Sequence, residues 1–501
     1  MSKSLLHSAL TVTVIGVLTR ALSFLFRIYL SREIGAESLG IYQISLSVFF
    51  LFATLSAGLP LTLSRKTAEM HALGKYKGEK NLISATLILG VAISGAVVCI
   101  FYLFSSSLPF LFSDERCMPL FLILLPSCIS TSIYGIVRGW FWGRKKYTVF
   151  ALTEFFECIV RILLGVVLIS GIVDGISGAT GTALSFTLSD YLCTLLIVVL
   201  FFVYGGRLDK PQGFKKVTKT ALPLTAVRLY NSLINSLVAI IVPAMLIATG
   251  ATGSEAMSDY GRVMGMALPI ITSPSMLTGA LNTVLVPEIA ALKARGDREN
   301  LIKRVKGSLT IAVFCALCFF VIFIPLGEKI GVLFYDDRAA GRYVSYSAVI
   351  MVSMVLNGVT STIMDSLGLE VKTMKNYVIG SIFLIISLVG LTTFIGAYAI
   401  IVAFGISYTV TTILNLVAIR QLLNIGYKDF TSSLSIQLLI ALVTVFGVTF
   451  VKNLTSTLPI LVSIAIPSIF GIAFFVISNI ALGEIDVSGF ITKKKALKNK
   501  L

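Results

Sequence analysis

Apolar runs about as long as a bilayer is thick, repeated along almost the whole chain, constrain this sequence more than any other feature. Roughly 20 apolar helical residues cross a hydrocarbon core. Windows of about 19 residues place fourteen such runs, near 8–30, 40–64, 82–106, 118–137, 150–172, 177–203, 221–248, 264–286, 307–326, 344–364, 377–396, 398–419, 433–451 and 458–482. With 56% of 501 residues hydrophobic and 13% charged, neither a soluble multidomain enzyme nor a disordered chain fits. The connections, at most about 20 residues long, are too short to fold as a catalytic domain. The expected fold is an all-α polytopic membrane protein of about fourteen transmembrane helices.

Charge distribution tests this reading. A net charge of +17 invites a nucleic-acid partner, but basic excess in a membrane protein belongs to cytoplasmic loops. With the N-terminus placed inside, 30 of the 41 Lys and Arg fall on cytoplasmic segments and seven on outer ones, the other four lying within spans. Both termini are therefore expected in the cytoplasm of a cell with this protein in its plasma membrane. The basic tail from Lys493 to Lys500 reads as a topology anchor. The first run follows Lys3, is too long for a signal-peptide core and lacks a small-residue cleavage site, so it is expected to remain as span 1.

Seven cysteines, whose one C-x-x-C spacing (Cys315, Cys318) lies inside an apolar run, two histidines (His7, His71) and no G-x-x-x-x-G-K-[ST] loop leave no basis for a metal site, a cofactor or ATP hydrolysis. Cys99, Cys158, Cys193, Cys315 and Cys318 fall in apolar runs and read as packing thiols.

An internal repeat sets the expected architecture. Leu111-Phe112-Ser113-Asp114-Glu115-Arg116 returns as Leu333-Phe334-Tyr335-Asp336-Asp337-Arg338, Asn81-Leu82-Ile83 returns as Asn300-Leu301-Ile302, and Gly135 answers Gly358, all about 222 residues apart. That offset spans six helices, an even number, so both halves enter the membrane in the same direction and are related by a pseudo-twofold axis along its normal. The expected domains are a six-helix lobe over 1–205, a second over 206–424, and two additional helices with the basic tail over 425–501.

Ionisable groups at membrane depth mark the candidate site. Arg20 lies about 12 residues into span 1, roughly 18 Å along the helix and near the bilayer centre. A cation there costs about 2.5–3.5 kcal/mol on insertion scales and should face protein or water. Arg27 lies two turns on. Glu154, Glu157 and Arg161 share one stripe of span 5, with Glu157 placed to pair with Arg161 four residues later. Asp190 in span 6 and Arg228 in span 7 complete the set, and Arg262 lies at the rim of span 8. A cavity lined by these groups is slightly basic and suits phosphate or diphosphate, which guanidinium grips through paired hydrogen bonds. Asn231, Asn235, Asn282 and Asn357 suit sugar hydroxyls or interhelical contacts.

Thr19-Arg20-Ala21-Leu22-Ser23-Phe24, Arg27, Ile34-Gly35, Leu39-Gly40-Ile41-Tyr42-Gln43 and Gly58-Leu59-Pro60 resemble the start of stage V sporulation protein B-like flippases. Arg138-Gly139 with Gly143, Glu157 and Arg161, then Tyr260-Gly261-Arg262, Pro274-Ser275, Leu277 and Leu285-Val286-Pro287-Glu288, extend the resemblance over most of the chain. These relatives belong to the multidrug, oligosaccharidyl-lipid and polysaccharide exporter superfamily. The resemblance implies two lobes with alternating access, and spans 13 and 14 beside them forming a groove for a polyprenyl tail. It also implies that Arg20, Arg27 and Arg262 meet a lipid diphosphate, although in span 2 only Arg65, at its cytoplasmic end, carries charge.

The expected function is a non-enzymatic, monomeric flippase moving an undecaprenyl-diphosphate-linked oligosaccharide, such as a lipid II-like cell-wall precursor or polysaccharide repeat unit, to the outer leaflet. Arg20, Arg27, Arg228 and Arg262 would bind the head group. Glu154, Glu157, Arg161 and Asp190 would couple to sodium or protons or form charge pairs. The alternative is a cation-coupled multidrug antiporter.

Overall fold

A computed structural model describes residues 3–74, 76–105, 112–170 and 178–484. Helices and short turns account for these residues, and no strand occurs among them. The basic tail Lys493 to Lys500 and Leu111 of the repeated motif lie outside them.

The helices follow the apolar runs but extend past them. α1 (Lys3–Ala53) joins the first two expected spans into one rod, broken only at Gly35 with φ 74° and ψ 172°. The connection expected around residues 31–39 is thus a kink at a residue without a Cβ. A 3₁₀ turn (Thr54–Ser56) leads to α2 (Gly58–Ala72). Next come α3 (Tyr76–Leu103), α4 (Cys117–Leu124), α5 (Ser127–Gly143), α6 (Tyr147–Ile169), α7 (Gly178–Val203), α8 (Phe214–Ala248) and α9 (Gly253–Tyr260). Pro126, which lacks an N–H, marks the break between α4 and α5. A π-helical stretch (Gly261–Ala267) precedes α10 (Leu268–Ile271) and α11 (Pro274–Arg295). α12 (Arg298–Tyr335), α13 (Arg338–Ser347), α14 (Met351–Ser366), α15 (Glu370–Ile395), α16 (Tyr398–Leu423), α17 (Lys428–Leu454) and α18 (Ile460–Ala481) complete the chain.

Eleven helical segments among the described residues are long and apolar enough to cross a bilayer. The expected fourteen passages are accommodated because Thr11–Ala72 holds two, α6 is a full-length helix carrying three charges, and the stretch from α9 to α11 is divided by its π turn. α12 is 38 residues long, well beyond the expected 307–326. Asp297 caps its first turn by accepting from the Asn300 amide, with Glu299 placed to favour the positive end of the helix dipole.

The chain forms two compact units, Met1–Gly261 and Arg262–Leu501. In the first, Leu59, Leu63, Ile136, Val137, Trp140 and Phe201 form a buried cluster in which Trp140 meets Phe201 edge-on at 4.7 Å. Small residues bring the backbones together: a Cβ on Gly40 would lie 2.0 Å from the Met257 carbonyl oxygen, so α1 and α9 touch through their main chains. In the second unit α12 is the central rod, contacted by α13, α14, α17 and α18. Asn415 donates to Thr360 and Ser361 and accepts from Asn376, tying α14, α15 and α16 together. Such amide contacts hold helices where apolar burial gives little preference. Phe446, Phe450, Ile469 and Ile477 on α17 and α18 are exposed, as suits a surface facing lipid.

Candidate functional site

Within the first unit a cavity of about 410 Å³ opens among α2, α5, α6, α7 and α8. Its wall carries Arg138, Glu157, Arg161, Asp190 and Arg228. Four were expected from sequence; Arg138 was counted as a loop residue because the apolar window ends at 137. The helix runs on to Gly143, which puts Arg138 inside it. The signal lies in Trp140, Phe141 and Trp142, which extend the apolar pattern past the basic residue.

These charges are held differently. Arg161 donates to Glu157, the i, i+4 pair read from spacing. It also donates to the Ser189 hydroxyl at 3.2 Å and lies over the Phe186 ring at 4.5 Å. Arg138 stacks between Phe150, 3.8 Å from its guanidinium carbon, and Trp142, at 4.5 Å. Aromatic faces hold a cation without neutralising it. Arg228 is exposed, and its charge acts on Arg138. Neither Arg138 nor Arg228 forms an ion pair among the described residues. Asp190 is 6% exposed and accepts from the Ser130 and Thr131 hydroxyls, with no cation in an ion pair with it among the described residues.

The remaining expected residues sit outside this wall. Arg20 is exposed on α1, where it and Arg138 act electrostatically on Glu154. Arg27 is half-buried, within electrostatic reach of Tyr42. Arg262, in the second unit, donates to Asp337 at 2.8 Å, while the same carboxylate accepts from the Ala340 amide at 2.9 Å and caps α13. Burial alone would raise the Asp337 carboxyl, but the Arg262 guanidinium and the helix-end amides hold it below the ordinary range. Of the four asparagines, Asn231 bonds back to the Val227 carbonyl, whereas buried Oδ1 atoms of Asn282 and Asn357 have no donor.

The charged cavity lies among helices long and apolar enough to span a bilayer, and the chain's relatives make it a transporter of the multidrug, oligosaccharidyl-lipid and polysaccharide exporter superfamily. The chain belongs to the polysaccharide biosynthesis protein family, whose profile matches residues 5–289. Stage V sporulation protein B of Bacillus subtilis (strain 168) is 25% identical over 398 residues, 76% of each chain. The fold is similar to that of the lipid II flippase MurJ in an inward closed conformation, with a TM-score of 0.74, 17% identity and coverage of 96% of this chain and 99% of that one. An inward-facing multidrug resistance MATE family transporter gives a TM-score of 0.67 at 17% identity, covering 83% and 98%.

Proposed function

We propose that this chain is a flippase carrying an undecaprenyl-diphosphate-linked oligosaccharide, either a lipid II-like precursor or a polysaccharide repeat unit, from the cytoplasmic to the outer leaflet by alternating access. The observation that carries this reading is the pair of arginines facing one cavity, Arg138 and Arg228, neither held in an ion pair among the described residues. Two mutually repelling guanidinium groups are stabilised by a polyanion between them, and the planar fork of arginine matches phosphate oxygens. The polar head needs a hydrated path while the polyprenyl tail stays in the hydrocarbon, so binding is directed at the diphosphate. Arg138 and Arg228 hold the head group, Arg20 and Arg27 of the same unit supply further positive charge for it, and Arg262 is engaged by Asp337.

With no phosphate loop in the sequence, the work comes from an ion gradient or from the membrane potential, about 2.3 kcal/mol per charge per 100 mV. Glu157 is engaged by Arg161 and Glu154 is faced by two arginines, which leaves Asp190 as the coupling acid best suited to exchange sodium or a proton. That acid also supports the second reading, a cation-coupled multidrug antiporter.

Binding of purified protein to undecaprenyl-diphosphate lipid, with and without a sugar head, against a hydrophobic cation separates the two. The flippase reading expects diphosphate binding that weakens by about tenfold or more, about 1.4 kcal/mol, in Arg138→Gln and in Arg228→Gln. Binding of the cation but not the diphosphate lipid overturns it.

A further inference from the structure

A second cluster of polar groups, in the second unit, lies in the hairpin of α17 and α18. Ser433 donates to Glu484, Gly447 faces Phe470 and Gly471 faces Val448. These pairs fix an antiparallel register that sets Gln437, one turn after Ser433, level with Asn479. Both amides are 0% exposed. Gly483, at φ 73°, turns the chain so that the Glu484 amide bonds back to the Asn479 carbonyl, keeping this carboxylate over the same end of the hairpin.

The buried amide oxygens, Gln437 Oε1 and Asn479 Oδ1, have no donor among the described residues. Reversing the amides does not help. Asn479 Nδ2 donates to the Phe475 carbonyl at 2.8 Å, a bond a flip would lose. Gln437 Nε2 donates to the Ser433 hydroxyl at 3.4 Å, and that hydroxyl has already given its proton to Glu484. A buried acceptor without a partner costs about 1–3 kcal/mol, so two on facing helices require an occupant. Among the described residues this end of the hairpin gathers a carboxylate, a hydroxyl and two amide carbonyl oxygens, together carrying one negative charge.

We propose that Glu484, Ser433, Gln437 and Asn479 form a binding site for a monovalent alkali cation that fastens α17 to α18. Hard cations take oxygen donors, and a single carboxylate among neutral oxygens matches one positive charge better than two. The site ties together the last two described helices and is independent of the transported substrate.

The test is thermal unfolding of the purified full chain in sodium, potassium, lithium and choline chlorides at equal ionic strength. One alkali cation is expected to raise the melting temperature saturably above the choline value, as a ligand specific to the folded state does. In Asn479→Leu and in Glu484→Gln the half-saturating concentration rises by about tenfold or more. Asn479→Leu removes an orphan acceptor, so it melts in choline at or above wild type, which separates loss of the site from failure to fold. A wild type with no saturable, cation-specific rise overturns the proposal: water then fills the site or the two amides bond each other. A rise retained in both variants overturns it as well. Diphosphate-lipid binding is read separately, so either idea fails without the other.

Discussion

Single residues in this chain are legible where local spacing decides their partner. Glu157 and Arg161 stand four apart on one helix, and the pair forms. Arg262 shows the limit, because its partner Asp337 is 75 residues away and no local pattern announces it. The pair has a pH signature. Since the folded Asp337 carboxyl lies below its ordinary value, its ionised form contributes stability that is complete above the unfolded value of about 3.9 and is lost as pH falls through the folded value. Arg262→Ala should therefore lower stability by about 1–3 kcal/mol near neutral pH, between the limits for exposed and buried pairs. The difference from wild type should shrink as pH drops below about 4. Thermal unfolding in detergent across that range checks this; a gap independent of pH would mean that packing of the Arg262 stem, rather than the ion pair, provides the stability.

At the scale of elements, hydrophobic windows located the helices because burial in lipid requires an uninterrupted apolar stretch, but they misjudged the ends. Helix ends depend on caps and on polar residues that stay helical beyond the hydrocarbon, as at Asp297 on α12 and Arg138 on α5. The repeated loop motif was visible; its wiring was not. In the first unit Glu37, just past the α1 kink, accepts from Arg116 at 2.7 Å. In the second Arg262, in the π stretch, donates to Asp337. Offset by 222 residues, Arg262 answers Gly40 and Asp337 answers Glu115, so neighbouring positions of the repeat, and not the same ones, are joined with the signs exchanged. Backbone contact between helices is equally invisible to a hydrophobic window. Gly40→Ala would drive a Cβ to 2.0 Å from the Met257 carbonyl oxygen, so α1 and α9 must separate. An overpacking cost of about 1–3 kcal/mol should appear as a lower melting temperature, whereas Gly16→Ala, with open space around its Cβ, should melt as wild type does. Equal losses from the two substitutions would trace the effect to glycine itself and not to the α1–α9 contact.

For the whole molecule, the pattern that fixed the number of passages also carries their direction. Basic residues cost more to translocate than to retain, so alternate loops should lie on opposite sides with the basic ones inside. In the structure the two kinds of loop look different. Arg144 and Lys146 close the end of α5, where Arg144 bonds the buried Glu79 at 2.7 Å and packs on Trp140, and Lys146 lies over Tyr204. Arg116, on the connection before α4, is already balanced by Asp114 and Glu37. The first loop thus keeps a surplus of positive charge while the second, with Asp114, Glu115 and Glu37 around Arg116, has none, a distinction that membrane insertion reads. A cysteine at Lys145, in a background with the seven native cysteines replaced, should react with a membrane-impermeant maleimide only after the cell membrane is opened, and one at Glu115 should react in intact cells. The reverse pattern would invert the topology and with it the direction of export. Labelling of both in intact cells would show that charge bias does not set orientation in this chain.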